Sequence, residues 1–405
     1  MNVIWGLGGV LFLFAIAFLF SNNKTSISYR TVLGGLAIQI IFAFIVLKWS
    51  VGRAALQSVT QGVQKVIDYA NAGISFLFGS LADPSQPTGF IFAFRVLPVL
   101  IFLSSFIAVL YYLGIMQWFV RIIGGALSKL LRTSQAESLS ATANIFLGQT
   151  EAPLVIRPYM DRLTKSELFA VMVGGLASVS GSTLFGYAAL GVPLQFLLAA
   201  AVMAAPAGLI MAKLFFPETE KPETAEKVVM ERDEDQANVL DAAARGASDG
   251  LMLALNVGAM LIAFIAIIAL INGLVGGIGG LFGYPDLSLQ LILGYIFAPL
   301  AFVIGVPWED AVTAGSFIGQ KLILNEFVAF SEFAPIIDTL SQKTGAIITF
   351  ALCGFANFSS IAILLGGLGG MAPSRRADIA KFGLRAVAAG TMANLLSATI
   401  AGMFI

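Results

Sequence analysis

Eight nearly uninterrupted apolar stretches divide this chain, at residues 3–20, 31–47, 96–113, 168–190, 193–212, 251–274, 346–370 and 386–405. Most approach the roughly 20 residues a helix needs to cross the hydrocarbon core of a bilayer. In hydrocarbon every backbone N–H and C=O must be satisfied within the protein, so each stretch is predicted to be a helix and the chain an all-α integral membrane protein with eight spans. Composition agrees: of 405 residues, 58% are hydrophobic and 11% charged. The first stretch has the length of a signal-peptide core. No basic region precedes it and no clear small-residue cleavage site follows Phe20, so it counts as a span.

Charge and residue usage exclude several function classes. Basic and acidic residues balance at 23 each with no basic run, which argues against nucleic acid as a partner. The single Cys353 excludes an intrachain disulfide and offers no cysteine cluster for zinc. Histidine is absent, so imidazole serves nowhere as metal ligand, proton shuttle or general base, and any proton chemistry falls to carboxylates such as Glu151. A membrane-embedded enzyme therefore loses most of its possible constellations. No cofactor is expected.

The basic residues gather at Lys24 and Arg30, Arg121 to Arg132, Arg157 to Lys165, Lys213 to Arg245, and Arg375 to Arg385. These clusters mark the cytoplasmic side, and threading eight spans through them places both termini outside. Residues 49–80 are too polar to span, yet Val51, Ala55, Val59, Val63, Val66 and Ala70 recur at helical spacing, as in an amphipathic interfacial helix. Residues 214–247, rich in charge and carrying Pro217 and Pro222, read as a solvated linker between two halves. Four units follow: 1–89, N-terminal helices with the interfacial helix; 90–213, a first repeat; 214–250, the cytoplasmic linker with an interfacial helix; and 251–405, a second repeat.

Both repeats carry a polar break where lipid should be. Gly148-Gln149-Thr150-Glu151-Ala152-Pro153 interrupts the first and Asn325-Glu326-Phe327 the second. An ionised carboxylate at a helix centre costs roughly 3 kcal/mol on insertion scales, so such groups are functional candidates by default; a satisfied structural network is the competing reading. Glu151 is followed 25 residues later by Leu176 and the run Ala177 to Ser182, and Glu326 is followed 26 residues later by Leu352 and the run Cys353 to Ser360. Residues 134–163 begin and end near basic residues and contain Pro153, which predicts a re-entrant hairpin; residues 306–334 make a matching one entered from the opposite face. Two opposed hairpins make an inverted repeat, a common plan for transporters. Residues 287–305 are long enough to span, but a ninth crossing would spoil the inverted relation, so they are placed along the outer interface.

Gln149, Thr150 and Glu151 offer donors and acceptors from an unwound tip, suited to a planar hydrogen-bonding ligand. Asn357 and Ser360 share a helix face, with Phe355 two residues before Asn357; a polar helix–helix contact is the alternative for these, and a bond to its own helix backbone the alternative for Thr183. Asn144 and Ser178 are oxygen donors that, with freed backbone carbonyls, suit a hard monovalent cation, or else simply pack. Glu332 is expected toward a wet mouth. The glycine run Gly366-Gly367-Leu368-Gly369-Gly370 lacks the Lys-Ser/Thr ending of a phosphate loop and fits close packing or a helix end.

Taken together, Gly148 to Pro153, Asn325-Glu326-Phe327-Val328-Ala329 and Phe350-Ala351-Leu352-Cys353-Gly354-Phe355-Ala356-Asn357 resemble the signature segments of the concentrative nucleoside transporters, over essentially the whole chain. The resemblance implies a multi-pass protein of the bacterial inner membrane that imports uridine-like and other nucleosides with sodium by alternating access. It also implies a homotrimer whose scaffold holds a mobile transport unit. Gln149, Thr150 and Glu151 would face the nucleobase with Thr183 beside it and Phe355 against it, while Glu326, Asn357 and Ser360 would hold the ribose hydroxyls. Sodium would sit on Asn144 and Ser178 with the carbonyls of Leu147 and Val179. Thr183 stands where many relatives carry an aliphatic residue, and Ser180 also departs from their pattern. Proton coupling, a membrane-embedded enzyme and an ion channel are the competing readings.

Overall fold

The computed structural model describes residues 2–83, 90–225, 228 and 236–405. The unit boundary expected at 89 and residues 226–227 and 229–235 of the linker expected over 214–250 lie outside the described residues. Helices α1 (Asn2–Leu19) and α2 (Tyr29–Ala43) open the chain, and α2 ends in a π-helical turn, Phe44–Lys48. The amphipathic segment forms α3 (Ser50–Phe78). The chain reverses into α3 at Gly52, where a Cβ would lie 2.0 Å from the Ile45 carbonyl oxygen; only glycine fits there. The expected valine stripe meets protein only toward its C-terminal end: Ala70 is buried, while Val51 and Val59 are exposed.

The first repeat comprises α4 (Phe92–Arg95), α5 (Leu97–Tyr112), α6 (Ile115–Leu131), α7 (Gln135–Ala143), a 3-10 segment Ala152–Arg162, α8 (Lys165–Ala177), α9 (Gly181–Ala189) and α10 (Leu194–Phe215). The second comprises α11 (Val239–Leu281), α12 (Leu289–Val303), α13 (Trp308–Ile323), α14 (Glu326–Phe333), a 3-10 segment Ala334–Thr339, α15 (Gln342–Leu352), α16 (Ser359–Met371) and α17 (Arg376–Phe404). Each repeat runs long helix, shorter helix, hairpin, broken helix, long helix. Helix α12, over the stretch 287–305, turns by 116° into α13 and packs along it, as α6 packs on α7.

Seven helical segments among the described residues are long and apolar enough to cross a membrane, and they coincide with seven of the eight expected spans. The remaining one, expected over 346–370, is divided into α15 and α16 by the non-helical residues 353–358. The span expected over 168–190 is likewise broken, at 178–180. Segments α8–α9, α10 and α17 are buried over most of their length; α1, α2, α5 and α11 turn most of theirs outward. The breaks therefore lie in a protein-lined centre, where irregular backbone is tolerated, while α1, α2, α5 and α11 form the outward-turned surface.

Candidate functional site

The hairpin expected over 134–163 is built from its feet upward. Ser134 caps α7 in a capping box with Glu137, and Thr164 caps α8 in another with Glu167. The ammonium of Lys213, at the end of α10, lies 2.6 Å from Glu137 Oε2 and 3.7 Å from Glu218, and donates to Ser166 Oγ at 2.8 Å. Thr224 donates its hydroxyl to Glu167 Oε1, and its carbonyl accepts from Gln135 N–H at 3.0 Å. The first part of the charged segment is thus not a freely solvated linker. Its Glu218 and Thr224 bind both feet of the hairpin, and Thr224 is fully buried. In the second hairpin Ser341 caps α15, and Thr344 donates to Asp310 at 2.7 Å.

At the tips, residues 144–151 of the first hairpin are non-helical, and Leu324 and Asn325 interrupt the second. Each tip pairs by backbone with the break of the broken helix that follows it. Gly181 N–H donates to Phe146 O at 2.9 Å in the first repeat, and Phe358 N–H donates to Leu322 O at 3.2 Å in the second. The donors are 177 residues apart (358 − 181) and the acceptors 176 (322 − 146), close to the 175 that separate Glu326 from Glu151. The two breaks also pair with each other, Phe355 N–H donating to Ser178 O at 3.1 Å.

Each hairpin packs against the broken helix of the opposite repeat. Thr150 lies on α16, where a Cβ at Gly367 would approach Thr150 Cγ2 to 2.4 Å. Within the glycine run Gly367 therefore serves close packing, whereas Gly366 and Gly370 have open space where a Cβ would stand. Across the centre, Glu326 Oε1 accepts from the Tyr187 hydroxyl of α9 at 3.3 Å, and Glu326 Oε2 accepts from Asn357 Nδ2 at 2.9 Å. Tyr187 stacks on Phe330, ring centroids 4.2 Å apart. Asn357 Oδ1 in turn accepts from Ser359 Oγ and Ser360 N–H. Glu326, Asn357 and Ser360 thus form one buried cluster, with Phe355 half-buried beside it in the chain.

The other expected residues gather around the first tip. Gln149 is buried against α8, its Cβ 2.9 Å from where a Gly175 Cβ would stand, and its Oε1 has no hydrogen-bond partner. Buried Asn325 likewise leaves Nδ2 unpartnered while its Oδ1 caps α14. Thr183 is buried, sharing a hydroxyl contact of 2.7 Å with Ser180. Glu151 keeps solvent-exposed surface although protein surrounds its carboxylate, which accepts the Gly148 N–H at 3.2 Å. Asn144 is fully buried, donates to Ser140 O at 2.9 Å, and leaves Oδ1 unpartnered. The carbonyls of Leu147 and Val179 accept no backbone hydrogen bond among the described residues, and Ser178 is buried with its hydroxyl donated to Gly174 O. Unpartnered buried oxygens of this kind fit a small hard cation.

Glu332 is half-buried, accepts from Gln290 Nε2 at 3.2 Å, and lines an open cavity of about 360 Å³ with Ser288, Thr313 and Ser316. That agrees with the wetter place expected for it. Sequence reasoning did not single out Tyr187, Lys321 or Asn394. An ionisable residue inside the expected hairpin 306–334 was the available signal for Lys321. Tyr187 and Asn394 lie in apolar runs that gave none.

Residues 196–402 match the family described as Na+ dependent nucleoside transporter C-terminus, residues 8–81 its N-terminal counterpart, and residues 93–194 a family described as Nucleoside recognition. The chain belongs to the concentrative nucleoside transporter family. Relatives in this family include the Nucleoside permease NupC of Helicobacter pylori, 49% identical over 98% of this chain and 96% of its own. The Uncharacterized transporter YutK of Bacillus subtilis is 61% identical over 100% of both chains. Among solved structures, CNTnw in an inward-facing substrate-bound state is 54% identical with a TM-score of 0.95, covering 100% of this chain and 98% of that one. A doubly substituted CNTnw in an outward-facing state superposes at a TM-score of 0.97, with 54% identity, covering 100% of this chain and 99% of that one. Like its family, this concentrative nucleoside transporter is a permease and not an enzyme, a multi-pass protein of the bacterial inner membrane.

Proposed function

We propose that the transporter is a sodium-coupled nucleoside symporter that imports uridine-like pyrimidine nucleosides, and purine nucleosides as well, by alternating access. The observation that carries this reading is the set of buried, unpartnered polar atoms where hairpin tips meet helix breaks: Asn144 Oδ1, Gln149 Oε1 and Asn325 Nδ2. Unpartnered polar groups at such depth are costly, so their persistence argues for ligands that complete them.

In this reading Gln149, Thr150 and Glu151 meet the nucleobase edge, with Thr183 beside it and Phe355 against the ring. Glu326, Asn357 and Ser360 hold the ribose. The carboxylate already accepts one hydrogen bond on each oxygen and keeps lone pairs for the vicinal hydroxyls, as charge-assisted bonds. Sodium sits among Asn144 Oδ1, the Ser178 hydroxyl and the Leu147 and Val179 carbonyls. All four residues belong to the first hairpin and the break pairing with it, so cation binding orders the tip that meets the base. A roughly tenfold sodium gradient supplies roughly 1.4 kcal/mol, and a potential of about 100 mV adds roughly 2.3 kcal/mol. Together these concentrate a neutral nucleoside roughly 500-fold.

The hairpins are re-entrant from opposite faces, and the segments following α10 lie in the cytoplasm. The outward-turned helices α1, α2, α3, α5 and α11 form a scaffold around the buried transport unit, and three copies assemble through it. Inward- and outward-facing states named for CNTnw support alternating access over a channel.

The test is uridine uptake into proteoliposomes with sodium and pH gradients imposed separately. The expected result is saturable uptake that follows sodium and shows counterflow. Uptake unchanged on replacing sodium with choline, but driven by an imposed pH gradient, would transfer the coupling to a carboxylate.

A further inference from the structure

The second repeat carries a buried cation of its own. Lys321, on α13 of the second hairpin, is 2% exposed. Its Nζ donates to Ala351 O at 2.9 Å, at the end of α15, and to Asn394 Oδ1 of α17 at 2.6 Å. Asn394 Nδ2 then donates to Ala177 O at 2.6 Å, at the end of α8, and to Cys353 O at 3.0 Å. One ammonium and one amide thus satisfy terminal carbonyls of both broken helices where they cross. The approach requires Gly354, since a Cβ there would lie 2.3 Å from Asn394 Oδ1.

Both acceptors of Lys321 are neutral, and among the described residues no carboxylate lies within 4.0 Å of its Nζ. A buried charge without a counter-charge is expensive in an apolar interior. The carboxylate of the same hairpin is Glu326, five residues on, whose oxygens are occupied by the neutral donors Tyr187 and Asn357. Glu326 is thus the carboxylate placed to compensate Lys321 across the helix break without touching it. The first repeat differs near its own tip: among the described residues the carbonyls of Leu147 and Val179 accept no backbone hydrogen bond.

We propose that Lys321 is a positioning residue for nucleoside binding, a tethered ammonium standing behind Glu326 as an exchangeable sodium stands behind the first hairpin. It keeps Glu326 ionised yet free to accept ribose hydroxyls, and it fills with a covalent cation the place where a second ion would otherwise be needed. Each hairpin thus has one cation behind its tip, one exchanged in every cycle and one built in. The inference rests on the reading of Glu326 as the ribose ligand.

The test is equilibrium binding of uridine and 2′,3′-dideoxyuridine to the purified full-length protein at saturating sodium and, for uridine, across a sodium titration, comparing the parent with Lys321→Met. Methionine retains the length and apolar bulk of the stem while removing the charge. The variant is expected to lose roughly tenfold or more in uridine affinity, to lose less for the dideoxy analogue, and to show a steeper sodium dependence than the parent as a second ion is recruited. Parent-like uridine affinity and sodium dependence in Lys321→Met would overturn the proposal, and so would equal losses for the two ligands. If Lys321→Met does not purify as a monodisperse protein, Lys321→Met with Glu326→Gln decides: compensation requires that removing both charges restores monodispersity, and failure to restore it refutes the pairing. The sodium-coupling reading is judged separately, on whether sodium strengthens uridine binding to the parent.

Discussion

Glu326→Gln separates charge from shape at the ribose site. A glutamine oxygen still accepts from Asn357 Nδ2, now 2.9 Å from the carboxylate, and the amide nitrogen faces the Tyr187 hydroxyl, which accepts as readily as it donates. The hydrogen bonds of the cluster survive and the variant is expected to fold, less stably than the parent because Lys321 loses its compensating charge. What it loses is charge assistance to the ligand. A hydrogen bond to a charged group contributes roughly 1.5–3 kcal/mol net and a neutral one roughly 0.5–1.5, so each ribose hydroxyl forfeits about 1–1.5 kcal/mol. Two hydroxyls give about 2–3 kcal/mol, a rise in Kd of about 30- to 150-fold. Isothermal titration of uridine, 2′-deoxyuridine and 3′-deoxyuridine into parent and variant completes a double-mutant cycle. Each deoxy ligand should lose more affinity toward the parent than toward Glu326→Gln. Additive losses would detach Glu326 from the sugar.

Three further outcomes are expected. Lys213→Met leaves Glu137 and Glu218 without their buried cation and should destabilise the protein by about 3–5 kcal/mol, read as a fall of several degrees in the melting temperature in detergent; an unchanged melting curve would show the ion pair to be idle. Gly367→Val should impair uridine uptake because its Cβ strikes Thr150 Cγ2, whereas Gly366→Ala, with open space around its Cβ, should transport normally; equal behaviour of the two would refute the packing of the first tip on α16. A cysteine at Ala237, in a Cys353→Ser background, should resist an impermeant thiol reagent in intact cells and react after permeabilisation; labelling of intact cells would invert the topology.

The hairpins and helix breaks were legible because their polar residues stand in apolar surroundings. Gln149, Glu326, Asn357 and Ser178 announce themselves in a sequence where lipid selects against them, and the repeated spacing ties one break to the other. What escaped had the opposite character. Helix α6 was not foreseen because residues 115–131 mix apolar residues with Arg121 and Lys129 and read as a cytoplasmic cluster. Lys213, Glu137 and Glu167 look like ordinary boundary charges, yet all three are buried, because the segment after α10 folds back over the hairpin feet. Tyr187 reads as one more apolar ring until its hydroxyl is seen against Glu326. Glu151 was legible as a polar break, but not the tight turn that folds its carboxylate back onto the Gly148 N–H.

The crossing of the hairpins bears on how such a chain can be made. When the ribosome has delivered residues up to Phe215, the first repeat is complete in sequence but not in partners. Thr150 lacks Gly367, the Tyr187 hydroxyl lacks Glu326, Ala177 O lacks Asn394, and Ser178 O lacks the Phe355 N–H. In hydrocarbon no water stands in for them, so the half-made protein carries unsatisfied polar groups until the last helix, α17, brings Asn394 into place. A chain stopped at the linker is not half a transporter but a membrane intermediate marked by its exposed polar atoms, a natural target for the insertion and quality-control machinery of the membrane.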